Sequence, residues 1–141
     1  MAKLVRGAAE VEKMELEDYF KNGKVYVWKK RFTIVKAKRP LKGAFATIED
    51  KKEITVIIDE DKIKEEDVIE KNEGWKIITF DMVLPFELVG FITKVSQILT
   101  EEGISIFVTS AYSTDHILVK EEDLPEAIKK LEELGCIVKK V

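Results

Sequence analysis

Gly103-Ile104-Ser105-Ile106-Phe107-Val108-Thr109-Ser110-Ala111-Tyr112-Ser113-Thr114-Asp115-His116-Ile117-Leu118-Val119-Lys120-Glu121-Glu122-Asp123-Leu124 is the stretch whose reading decides the fold of this chain. Ile104 to Ala111 is β-branched and apolar enough for a buried strand. Tyr112-Ser113-Thr114-Asp115 is turn chemistry, and His116 to Val119 returns as a second short strand, so the segment is predicted to form a β-hairpin.

Working outward, Trp75 to Val83 alternates loosely, is rich in Ile and Phe, and reads as a strand that Pro85 breaks. Leu88, Phe91, Ile92, Val95 and Leu99 follow at helical spacing, and Gly103 stands where a C-terminal cap belongs. Beyond the hairpin, Asp123 is placed to cap a helix whose first turn holds Pro125 and Glu126. Its apolar stripe is Leu124, Ala127, Ile128, Leu131 and Leu134, with Glu126 and Lys130 spaced for an ion pair, and Gly135 stops it. Cys136 to Val141 closes as a strand. The order βαββαβ predicts an α+β, ferredoxin-like domain with both helices on one face of an antiparallel sheet.

The first half reads as a degenerate copy of the same plan. Sliding the chain by 62 residues places Phe45 on Phe107, Thr47 on Thr109 and Glu53 on Asp115, and brings Asp59-Glu60-Asp61 onto Glu121-Glu122-Asp123. Phe32 to Val35 supplies the first strand of this copy, but only a loop containing Pro40 and Gly43 stands where the second copy has its first helix. The division expected is 1–73 for the degenerate half with its N-terminal extension and 74–141 for the intact domain, with Asn72-Glu73-Gly74 as the turn between them. Within the extension, Ala8 to Phe20 is predicted to be helical and Val25 to Trp28 a strand.

Composition narrows the function classes. The 141 residues include 24 basic and 27 acidic side chains, a net charge of −3 that offers no basic face for nucleic acid. Charged residues make up 36% of the chain, while Gln occurs once (Gln97) and Asn twice (Asn22 and Asn72), a bias typical of thermophile proteins. One cysteine, Cys136, and one histidine, His116, cannot form a disulfide or a zinc site between them. The N-terminus shows no apolar signal region and no apolar run approaches the roughly 20 residues that span a bilayer. The expectation is a cytoplasmic protein without a cofactor.

The run Phe86-Glu87-Leu88-Val89-Gly90-Phe91-Ile92, together with the Gly103–Phe107 and Ser110–Leu124 stretches, resembles the ACT-domain family. It is similar to small prokaryotic tandem ACT-like proteins and, more distantly, to the ACT repeats of animal cytosolic arginine sensors. The resemblance spans roughly residues 30 to 141, with nearly all of it in the second half. It implies a non-catalytic regulatory module that binds a small-molecule effector, an amino acid above all, and associates as a homodimer; the alternative is a dimerisation or protein-interaction module without a ligand. Carried over residue by residue, it selects Leu88, Val89, Gly90 and Phe91 on one side of a pocket, and Ala111, Tyr112, Thr114 and Asp115 on the other. Leu88 stands where the sensors have an acidic residue and Ala111 where they have Thr, which argues against arginine as the ligand.

The residue types leave two readings open at several positions. Gly90 can leave backbone N–H groups open to a carboxylate, or can simply permit close helix packing. Asp115 can receive an amino group, or can cap its own turn. His116 with Asp115 and a nearby serine has the composition of a hydrolytic triad, yet adjacent residues on a strand face opposite ways and no G-x-S-x-G elbow is present. Without a phosphate loop or a metal cluster, catalysis is not expected. Cys136 reads as a small buried apolar residue.

Overall fold

The computed structural model describes residues 15–85 and 88–141. Three α-helices are seen among them, α1 (Leu16–Phe20), α2 (Phe91–Thr100) and α3 (Leu124–Glu133). The strands are β1 (Lys24–Val27), β2 (Phe32–Ala37), β3 (Ala46–Glu49), β4 (Ile54–Asp59), β5 (Val68–Phe80), β6 (Ile106–Ser110), β7 (Asp115–Lys120) and β8 (Ile137–Lys140). Most of the N-terminal helix expected over Ala8–Phe20 lies outside the described residues.

All eight strands join one sheet, and β5 is the element both halves share. Its first part pairs antiparallel with β2, from Val68 opposite Ala37 to Trp75 opposite Phe32. Its second part pairs with β7 on one edge, Trp75 opposite Lys120 to Phe80 opposite Asp115, and with β1 on the other, where Val25 faces Phe80. Asn72-Glu73-Gly74, read from sequence as a turn, is therefore continuous strand. Gly74 takes φ +82 there, and the Trp75 indole N–H donates to the Asn72 side-chain oxygen at 3.1 Å. Polar residues belong in this stretch because its side chains stay largely exposed where the strand crosses between the two halves.

The internal repeat is visible in the topology. In the second half the strands follow the order β8-β1-β5-β7-β6, and in the first half the first part of β5 continues as β5-β2-β4-β3. Taking each copy's strands in chain order, both arrangements place the fourth strand beside the first, then the third and the second. The second copy differs in one respect: β1 from the N-terminal segment is inserted between β5 and β8, antiparallel to β5 and parallel to β8. The first copy lacks a counterpart to either helix. A loop at 38–45 replaces one, and 3-10 turns at Glu60–Lys62 and Glu65–Asp67 replace the other.

Strand alternation sends side chains to two faces. On the helical face of the second half, Ile78, Phe80, Ile117 and Val119 pack with Phe91, Val95 and Leu99 of α2 and Ala127 and Leu131 of α3. Phe20, Val25 and Val27 are buried in this same cluster, so α1 and β1 are part of the second half's core. On the opposite face, Ile77 and Leu118 meet Phe32, Ile57 and Trp75, which joins the two halves. The outer face of the first half buries Val35, Ala37, Val56 and Ile58 beneath Leu41, Ala44 and Ile63 from the segments that stand in for helices.

Local signals explain most helix ends, with two differences. Asp123 sits at the N-cap of α3, but a 3-10 turn at Glu121–Asp123 runs straight into the helix and its carboxylate makes no capping bond. Lys130 pairs with Glu102, beyond the end of α2, and with Glu133, both at 3.4 Å, in place of Glu126. Gly135 ends α3 with φ +108, and a Cβ there would sit 3.2 Å from Lys21 Cα, so the close approach of the α1 end also requires glycine.

Candidate ligand-binding cleft

A cleft of about 280 Å³ opens between the start of α2 and the β6–β7 turn. Its helix side begins at Gly90, whose φ of +92 turns the chain into α2 from the left-handed region. Gly90, as the N-cap, offers no side chain to cap this end. The Gly90 carbonyl accepts from Lys94 N–H at 2.9 Å, and the first-turn N–H groups have no partner within the helix. The partial positive charge of a helix N-terminus therefore lies at the cleft.

The opposite wall is the β6–β7 turn. Ala111 N–H donates to Thr114 O at 2.8 Å and closes the turn, while Leu84 N–H donates to Ser113 O at 2.9 Å and ties the segment after β5 against it. Ser110 Oγ donates to Asp115 Oδ1 at 2.6 Å, holding the carboxylate at the mouth of the hairpin. The floor is firm: Phe91 stacks on Phe20 with ring centroids 4.6 Å apart and meets Phe80 edge-on at 5.2 Å.

Of the eight residues selected from the sequence, Leu88, Gly90, Phe91, Ala111, Tyr112 and Asp115 line this cleft. Val89 and Thr114 do not. Val89 is 85% exposed, and Thr114 faces the other way, its hydroxyl 3.4 Å from His116 Nε2. Leu84, Pro85, Ile92, Thr93, Ser110 and Ser113 also line the cleft, and sequence reasoning passed over them as site residues. Thr93 was open to inference from its place in the first helical turn. Leu84 was not, because its position rests on a hydrogen bond to a turn 29 residues further along.

His116 takes no part in the cleft. Its Nδ1 lies 2.9 Å from the Thr79 hydroxyl, which also accepts the Trp28 indole N–H at 2.8 Å, and its ring meets Phe45 edge-on at 5.1 Å. It belongs to the contact between the halves, and Asp115 is bonded to Ser110 instead of orienting it. Burial holds the imidazole below its ordinary pKa, against an opposing effect of the Asp115 charge.

A wider groove of about 410 Å³ lies along Ile34, Lys36, Glu53, Thr55, Glu70, Lys71 and Phe107. Its charges already neutralise one another: Lys36 lies 4.0 Å from Glu53 and 3.9 Å from Glu70, and Lys71 lies 3.0 Å from Glu65. Among the described residues, no group of three or more His, Cys, Asp or Glu side chains is placed to hold a metal, and no helix is long and apolar enough to cross a membrane.

Residues 70–133 match the family model of the ACT domain. That segment is an ACT domain. ACT domains are regulatory modules that often bind amino acids. No curated protein matches the chain. Among solved structures, a protein of Agrobacterium tumefaciens superposes with a TM-score of 0.73 at 21% identity, covering 85% of this chain and 94% of its own. A Vibrio cholerae protein described as a possible transport protein gives 0.69 at 21%, with coverages of 85% and 95%. The regulatory subunit of aspartate kinase from Thermus thermophilus gives 0.58 at 10%, covering 78% of this chain and 96% of that one. These solved structures cover 78–85% of the chain, so the likeness in fold extends beyond the matched segment.

Proposed function

We propose that this chain is a non-catalytic regulatory module whose ACT domain binds one small amino acid in the cleft between α2 and the β6–β7 turn. The observation that carries this reading is the pairing of opposite polarities across one small space. A helix N-terminus whose N-cap is glycine suits a carboxylate, and the Asp115 carboxylate lines the same cleft from the hairpin and suits an ammonium group. The first half supports only one such site per chain, because its counterpart of α2 is a loop and offers no helix N-terminus. Occupancy would act by favouring the arrangement of α2 and the hairpin that binds better, and so alter a partner contact.

Calorimetric titration of the whole chain with the twenty amino acids tests this. One of them should bind with a stoichiometry of one per chain, and Asp115→Asn should weaken it at least about tenfold. Binding unaffected by that substitution would place the site elsewhere.

A second reading, association as a homodimer, is favoured by the sheet edges. β6 is an open edge with no charged residue in Ile106–Ser110, whereas β3 carries Glu49 and β8 carries Lys139 and Lys140. Charges on an edge discourage pairing, and β6 has none. A monomeric mass at micromolar concentration would contradict it.

A further inference from the structure

We propose that Asn22-Gly23 is a site of spontaneous covalent modification, intramolecular deamidation, which the native fold holds closed and unfolding opens.

Amides that decompose with heat are scarce in this chain: Gln occurs once, Asn twice, and one of the two asparagines precedes a glycine. Glycine is the neighbour that leaves an asparagine most open to attack, because no side chain flanks its nitrogen. The backbone explains why such a pair stands here. Asn22 takes φ +59 in the turn from α1 to β1, a left-handed conformation that asparagine and glycine tolerate. At position 23 a Cβ would lie 2.5 Å from Tyr19 O and 2.8 Å from Met82 Cε, so glycine is required. Two adjacent demands of geometry thus place a labile dipeptide at an exposed asparagine.

In the reaction the Gly23 backbone nitrogen attacks Asn22 Cγ. A new N–Cγ bond closes a succinimide ring, the Cγ–Nδ2 bond breaks, and ammonia leaves carrying the proton that Gly23 gives up. Water then opens the ring at either carbonyl. The product is an aspartyl residue, or an isoaspartyl residue whose main chain runs through the former side chain.

The folded chain opposes the first step. Gly23 N–H donates to Phe20 O at 3.0 Å, and Asn22 N–H donates to Gly135 O at 2.8 Å. Gly23 O accepts from Ile137 N–H at 2.8 Å, so the dipeptide is tied on both sides. Swinging the Gly23 nitrogen round to Cγ breaks the first of these bonds and strains the others. Cyclisation therefore waits for local opening, and its rate follows the population of the open state.

The modification also bears on the core. Just before the turn Phe20 stacks on Phe91, and just after it Val25 pairs with Phe80 and with Val138. An isoaspartyl residue lengthens the main chain by one methylene between these contacts, so α1 and β1 cannot both keep their places. A chain that ages while unfolded then carries a covalent mark that weakens its return to the native arrangement.

The test incubates the full chain at one temperature, in buffer and in urea beyond its unfolding midpoint. Peptide mapping by mass follows Asn22, Asn72 and Gln97 separately. In urea Asn22 should convert first, with isoaspartate and ammonia appearing together. In buffer its conversion should be slower by about tenfold or more. After removal of urea the converted chain should show a lower unfolding midpoint. Asn22→Gly accepts the positive φ and has no amide to lose, and should keep its midpoint through the same treatment. Conversion of Asn72 or Gln97 ahead of Asn22 in urea would overturn the site. Equal rates in buffer and urea would overturn its protection by the fold, and an unaltered midpoint in the converted chain would overturn its effect on the core.

Discussion

Phe20 and Phe91 stack face to face, with ring centroids 4.6 Å apart and planes within 4° of one another. The contact joins the last residue of the short helix α1 to the first residue of α2, and so fixes the N-terminal segment beneath the cleft. Both rings are 3% exposed. Phe20→Ala is expected to destabilise the chain by about 3–5 kcal/mol, as large-to-small changes of buried aromatics do. Urea unfolding should show this as a lower midpoint with little change in slope.

Gly90 has room for a side chain but not the backbone for one. A Cβ would lie 3.5 Å from Leu16 Cδ2, an ordinary contact, yet φ is +92. Gly90→Ala should therefore cost about 1–2 kcal/mol, the penalty of a left-handed conformation for an L-residue. Ligand affinity should fall as well if α2 shifts to relieve the strain. Denaturant titration and calorimetry on the same variant separate the two effects.

His116 is expected to make stability fall in mildly acid solution. Its folded pKa is lowered, first by burial, so the unfolded chain takes up the proton more readily. The stabilisation is complete above the ordinary histidine value of about 6.5. It is lost progressively as pH falls from there towards the folded value, and no further loss from this residue follows below that. His116→Gln should flatten the stability profile across this window. An unchanged profile would show that other groups set it.

Cys136 should be inert in the folded chain. The thiol is 6% exposed and burial pushes its pKa up to about 11, so almost no thiolate exists near neutral pH. A thiol reagent at pH 8 should label Cys136 in denaturant and only at the unfolding rate without it. Rapid labelling of the native chain would contradict this burial.

Much of the second half was legible because its signals are local. The hairpin over residues 104–119, the Leu124–Glu133 helix and the helix that follows Gly90 all rest on periodicity, turn residues and glycine stops within a few positions. The insertion of β1 between β5 and β8 was not legible, since Val25 meets Phe80 and Val138 through pairings 55 and 113 residues away in sequence. Alternation within Lys24–Val27 says that a strand forms and nothing about its neighbours. The continuous course of β5 was hidden for a related reason. Asn72-Glu73-Gly74 has turn composition, and that composition marks a register shift against β2 within one strand instead of ending the strand. Six of the eight residues that the resemblance selects come together around one space, and two, Val89 and Thr114, lie outside its lining. Thr114 lies in the turn just before β7, with its hydroxyl 3.4 Å from His116 Nε2, and Val89 is exposed just before the helix.

The proposed seat of the amino acid is the cleft between α2 and the β6–β7 turn. Backbone amide shifts of isotopically labelled protein, followed as the bound amino acid is added, test it most directly. The largest changes should fall on Gly90 to Thr93 and on Ser110 to Asp115, with Asp115→Asn suppressing both sets together. Changes centred instead on Lys36, Glu70 and Lys71, in the wider groove, or no response at those two segments, would contradict it.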